Sequence, residues 1–204
     1  MPSAVTTFES AARTFAGLIR RIPDDAWDGP GLGDWDLRAL VGHASRSLVT
    51  VLSYLQTSTA HEDVPTPQSY YVQIADYAAN AGAEAIVERG RQAGRDLGTD
   101  PVRAVDDLIE RVSAALATAG DPLIEVIGGL GIRLHTYLPT RTLELAVHSL
   151  DIARATGLPV ELPEEVLASA AALAATIGVE MGRGDALLLS LTGREPLPPG
   201  FSVV

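Results

Sequence analysis

Apolar side chains return every three or four residues along most of this chain, a period that suits helices and not strands. Phe8, Ala11, Phe15, Leu18 and Ile22 mark a first helix near residues 5–21, closed by Pro23. After the turn-rich run Asp28-Gly29-Pro30-Gly31-Leu32-Gly33, Asp36 has the character of an N-cap for a second helix over 37–57. Trp35 and Leu40 then occupy the N′ and N4 positions of a hydrophobic staple. His61 to Gln68 reads as a loop. A third helical region over 69–97 is interrupted near Asn80-Ala81-Gly82, and Asp100-Pro101 opens a fourth helix that stops at Gly120. Residues 123–134 favour β-structure but carry three glycines, which suits a short hairpin. A fifth helix covers 137–155 and a sixth runs from Pro163 to Gly182. The proline-containing tail is expected to be irregular, folding Phe201 and Val203 back onto the body. The expected fold class is all-α: residues 1–157 form a helical bundle, and 158–204 add a helix and a tail that pack on it without forming a domain of their own.

What is missing from the composition narrows the chemistry. The 204 residues contain no cysteine, so thiol chemistry here uses a thiol supplied from outside. All 15 basic residues are arginine, which excludes a Schiff-base lysine and a P-loop lysine. With 26 acidic residues the net charge is −11, unsuited to nucleic acid or to an anionic membrane surface. The start, Met1-Pro2-Ser3-Ala4-Val5, has no basic segment followed by an apolar one, and the apolar run Val166 to Val179 is too short for a bilayer. A cytoplasmic location is the expectation.

Two helices carry narrow polar stripes. On the fifth, Arg141, Glu144, His148 and Asp151 fall within an arc of about 80° at 100° per residue, while the rest of the helix is apolar or small. One reading is a solvated face with an Arg141–Glu144 surface pair. The other is burial, since a helix apolar over most of its circumference is usually inside, and buried carboxylates then need partners such as a bound cation. On the second helix, His43, Arg46, Ser47, Thr50 and Tyr54 share a face opposite Leu37, Val41, Leu48, Val49 and Leu52. Facing stripes make a polar cavity inside a bundle. Glu144 and His148 are one turn apart and can reach one ion, and His43 completes a set of two imidazoles and a carboxylate. Three protein ligands leave positions open, as catalytic sites do. Zinc suits this set, and iron, nickel and manganese use similar ones.

The segment Trp35-Asp36-Leu37-Arg38-Ala39-Leu40-Val41-Gly42-His43 resembles the W-x-x-R-x-L-x-x-H opening of the mycothiol-dependent maleylpyruvate isomerase N-terminal domain family. Arg141 to Asp151 resembles that family's R-x-x-E-x-x-x-H-x-x-D helix. The likeness covers about residues 5–157 and implies a DinB-like, metal-binding four-helix bundle. It implies that His43, Glu144 and His148 hold a divalent metal, most often zinc, which binds the thiol of mycothiol. It further implies isomerisation of, or S-transfer to, a small electrophile. Leu187 to Val204 resembles the short tail of members without a full C-terminal domain.

Further candidates surround this set. Arg46 and Arg141 either clamp a substrate carboxylate or form local ion pairs. Asp151 either orients the His148 imidazole or pairs with Arg154. Thr50 and Tyr54 are candidates for the cavity wall that receives the thiol cosubstrate. His61 and His135 read as surface or cap histidines. Gly31-x-Gly33 and Gly128-Gly129-x-Gly131 lack nucleotide-loop spacing. The expected partners are the electrophile and the thiol, with a homodimer left open. A non-catalytic ligand-binding bundle and a hydrolase using metal-activated water are the alternatives.

Overall fold

The computed structural model describes residues 2–203, and side chains throughout them except those of 76–81 and 83. Four helices close a ring: α1 (Ala4–Ile19), α2 (Leu37–Tyr54), α5 (Pro101–Ala119) and α6 (Leu134–Thr156). Within it α1 touches α6, α6 touches α2, α2 touches α5, and α5 touches α1. Phe8, Phe15 and Leu18 from α1, Leu40 and Leu48 from α2, Val105 and Val112 from α5, and Leu138 and Leu145 from α6 fill its centre. This is the all-α, DinB-like architecture. A helix α7 (Glu164–Glu180) lies against α6, α3 and α1.

The third helical region divides at Gly82, whose φ of +77° no other residue adopts cheaply. It gives α3 (Pro67–Ala81) and α4 (Ala83–Asp96). α4 turns back along α2 at very close range. A Cβ on Gly42 would lie 2.2 Å from the Gly94 nitrogen, so only glycine permits this crossing.

The hairpin expected at 123–134 forms as β1 (Leu123–Val126) and β2 (Leu130–Arg133), antiparallel, with Ile124 opposite Ile132. It also anchors the chain that leads into α3. Asp63 and Val64 donate their N–H groups to the Gly131 carbonyl, and the Asp63 carboxylate accepts from the Gly131 N–H at 2.8 Å. Any side chain at 131 would collide with the His61 carbonyl. β2 runs straight into α6, which therefore begins at Leu134, three residues before the expected start. The first N–H groups of that helix find the Pro122 carbonyl and the Asp121 carboxylate instead of water.

The C-terminal tail departs from expectation. Residues Gly184–Leu191 form a two-turn helix, α8, because Asp185 to Leu189 is a leucine- and alanine-containing run bounded by Gly182 and Gly193, both at positive φ. Irregular chain begins only after it. Val203 does return to the core, and Phe201 lies under the Arg183 guanidinium at 5.8 Å. Among the described residues no helix is long and apolar enough to cross a membrane.

Candidate metal centre and its cavity

The N-cap of α2 sets the first donor in place. Asp36 accepts from the Ala39 N–H at 2.7 Å, and His43 follows two turns later. Trp35 turns its ring toward α4, where its indole N–H donates to the Val87 carbonyl at 2.9 Å. The indole also lies 4.5 Å from the His43 ring, so Trp35 walls the imidazole in. α6 presents Glu144 and His148 one turn apart on the arc facing α2. The His43 and His148 rings meet edge to face at 5.0 Å. One nitrogen from each imidazole and one Glu144 oxygen lie within 4.8 Å of one another.

The surroundings hold these groups in fixed roles. Tyr71, from α3, donates its hydroxyl to Glu144 Oε1 at 2.9 Å and to the Thr140 carbonyl at 3.0 Å. The other Glu144 oxygen, Oε2, is 3.4 Å from His148 Nε2. His148 Nδ1 is 3.2 Å from Asp151 Oδ2. Without a metal both ring nitrogens face carboxylates and favour the imidazolium; in the neutral ring a metal ligand requires, the Asp151 contact keeps the proton on Nδ1 and frees Nε2. The exposed Arg154 also reaches Asp151, at 3.7 Å, so both partners considered for that carboxylate are present.

The two histidines respond oppositely to their setting. Burial, reinforced by the neighbouring His148, lowers His43 to about 4. Burial also disfavours charge on His148, but hydrogen bonds to Asp151 and Glu144 overcome it and raise that imidazole to about 9. Glu144 is likewise buried, yet its contact with His148 and the charge of Arg141 bring it down to about 2. One buried polar atom here has no hydrogen-bond partner among the described residues, His43 Nδ1. An imidazole lacking a partner, beside a carboxylate and a second imidazole, is a donor set that fits a divalent cation.

His43 and Glu144 open onto a cavity of about 220 Å³. Every residue of the polar stripe on α2 lines it, namely His43, Arg46, Ser47, Thr50 and Tyr54, and Arg141 and Glu144 face them from α6. His148 and Asp151 stand behind that wall. Arg141 does not pair with Glu144 as a surface reading of the stripe expects. Among the described residues no carboxylate lies within ion-pair distance of it. Its guanidinium instead lies over Tyr137 at 4.9 Å and Tyr70 at 5.5 Å, with Nε donating to Thr140 Oγ1 at 3.0 Å. Tyr137 donates to Thr50 Oγ1, and the Thr50 hydroxyl in turn donates to the Arg46 carbonyl. His135 and His61 are exposed and do not line the cavity.

Beyond Tyr54, sequence reasoning missed the aromatic frame. Tyr54, Tyr70, Tyr71 and Tyr137, four of the chain's five tyrosines, gather at this site. The signal was their rarity, because only 5% of the residues are aromatic and Tyr70-Tyr71 opens a helix. Arg89 of α4, also on the cavity wall, had no local signature.

The model of the mycothiol maleylpyruvate isomerase N-terminal domain family matches residues 8–153, from the first core phenylalanine to just past Asp151. No curated protein and no solved structure matches the chain.

Proposed function

Since the chain belongs to the mycothiol maleylpyruvate isomerase N-terminal domain family, we propose that it is a metal-dependent enzyme that uses mycothiol, or a similar small thiol, to isomerise or S-alkylate a small electrophile. The observation that carries this reading is the convergence of His43, His148 and Glu144 donor atoms within 4.8 Å beside a cavity that His43 and Glu144 line. Zinc suits two imidazoles and a carboxylate. An ion held there supplies a Lewis-acid centre that favours the thiolate over the thiol.

The chain's own groups have separable tasks. Asp151 fixes the tautomer of His148. Tyr71 holds one Glu144 oxygen so that the other stays toward His148. Thr50 and Tyr54 shape the wall against which the thiol's body lies. Arg46 and Arg141 keep the cavity positive, which lowers the cost of bringing an anionic sulfur into it. The lack of cysteine in the chain removes any internal competitor for that position.

The test is thiol consumption. Mycothiol and a panel of small α,β-unsaturated or halogenated electrophiles are incubated with the zinc-loaded protein. Loss of free thiol, or isomerisation at constant thiol, should be accelerated. Acceleration should vanish with a chelator, return with zinc, and be absent in His148→Ala. Turnover of an ester or amide without added thiol would instead favour a hydrolase.

A further inference from the structure

The two imidazoles of the cluster are oriented by different means. His148 is turned by a carboxylate, its Nδ1 lying 3.2 Å from Asp151 Oδ2. A metal-binding histidine usually has such a hydrogen bond to fix its ring. His43 lacks it: its Nδ1 is buried with no partner among the described residues. Other rings contact it instead. The His148 ring meets it edge to face at 5.0 Å, and the Trp35 indole lies against it at 4.5 Å, tilted by 32°.

Trp35 is itself fixed by α4. Its indole N–H donates to the Val87 carbonyl at 2.9 Å. Gly90, one turn further along α4, leaves the space that the indole fills. A Cβ there would lie 2.5 Å from both Cε2 and Nε1 of the ring. The indole is rigid, so an added methyl group either displaces it or lifts α4 and the Val87 carbonyl with it. The N′ position of a hydrophobic staple asks only for an apolar side chain. An indole bonded to a second helix and laid against a buried imidazole is a more specific arrangement. We infer that Trp35 is a positioning residue for His43, holding the imidazole by ring contact where a hydrogen bond is missing, and that α4 sets Trp35 through Val87 and Gly90. The consequence for a bound ion rests on the function proposed above. α4 also places Ile86 and Arg89 on the cavity wall. The same helix thus meets the contents of the cavity and, through Trp35, a metal ligand.

Zinc competition against a chromogenic chelator tests this on the full chain as wild type, Trp35→Leu, Gly90→Ala, the double variant and Gln92→Ala. Leucine keeps an apolar side chain at N′, and alanine in place of glycine inside a helix favours the helix. Gln92 is exposed on α4 and serves as the control. Trp35→Leu and Gly90→Ala should each lower zinc affinity about tenfold, the low end for losing a group that orients a ligand, with the far-UV helix signal intact. The double variant should be no weaker than Trp35→Leu, because the added methyl group then has no indole to displace. Gln92→Ala should match wild type. A second readout needs no metal. In chelator-treated Gly90→Ala, the ring-proton resonances of His43 should shift, since the indole no longer shields them as before, while those of His61 and His135 stay in place. If Trp35→Leu melts early, Gly90→Ala carries the comparison. Wild-type zinc affinity in both single variants, or additive losses in the double one, overturns the positioning role. Unmoved His43 resonances in Gly90→Ala overturn it too. His43 resonances that follow position 90 in a chain that binds no zinc would leave the positioning standing and remove the metal reading.

Discussion

Helix α6 buries two faces, and they contain different chemistry. On one, α6 puts Leu138, Leu145 and Ile152 into the apolar core that also holds Phe8, Phe15 and Val166. Toward α2 and α3 it presents Arg141, Glu144 and His148, and the neighbours answer with His43, Tyr70 and Tyr71. The apolar face has only volume to match. On the polar face each charge needs a partner, and nearly every one has it: stacked rings for Arg141, a tyrosine hydroxyl for Glu144, a carboxylate for His148. The exception is His43 Nδ1. Burying charge without such a frame would cost several kcal/mol per ion, so a frame this complete with one gap is better suited to holding something than to stabilising the bundle.

The sharpest way to separate the faces is to damage each alone. Phe15→Ala empties a fully buried site on the apolar side and should cost ~3–5 kcal/mol of stability. Chemical denaturation should register this as a lower midpoint, with zinc stoichiometry unchanged in the fraction that stays folded. Asp151→Asn should do the reverse. The fold survives the loss of one charge at the edge of the cluster, while zinc affinity should fall about 10–100-fold because a neutral amide is a weaker acceptor for His148 Nδ1–H and can present its NH2 instead, favouring the wrong tautomer. Competition with a chromogenic chelator measures that ratio. Equal zinc affinity in Asp151→Asn and wild type would assign Asp151 to Arg154 instead.

A gentler probe is pH in chelator-treated protein, where the histidines pull in opposite directions. His148 lies at about 9 in the folded chain against an ordinary 6.5, so its stabilisation is complete below pH 6.5 and is lost as pH rises through 9. His43 is lowered to about 4 from 6.5, so the unfolded chain takes up the proton first and stability declines as pH falls from 6.5 toward 4. Glu144, lowered to about 2 from 4.5, adds stability above pH 4.5 that disappears as pH falls through 2. Thermal melts across pH 4–9 should therefore peak near 6.5. His148→Gln should flatten the alkaline side and His43→Gln the acid side. A single variant flattening both would show the titrations to be misassigned.

What the sequence made legible follows the range of the physics behind it. The polar arc Arg141–Glu144–His148–Asp151 and the stripe from His43 to Tyr54 were readable because helical periodicity is local. So was the Asp36 cap. Long-range partners were not. Nothing near Tyr71 announces Glu144, 73 positions later, and nothing near Arg89 announces a cavity. The Arg141–Glu144 pair looked natural from i,i+3 spacing, but the tyrosine rings that claim Arg141 include one from α3, invisible to that argument. The α8 helix was obscured because the prolines that follow it made the whole tail read as irregular. The run Asn80-Ala81-Gly82 carried enough local information to divide α3 from α4, and the backbone turns at its glycine.

Equilibrium zinc titration of wild type and of the His43→Ala, Glu144→Ala and His148→Ala variants tests the central claim most directly. The account predicts about one tightly bound ion per wild-type chain, the stoichiometry of a single three-ligand site, and its loss in every one of the three variants while their far-UV helix signal persists. Undiminished zinc binding in folded variants, or none in wild type, would contradict it.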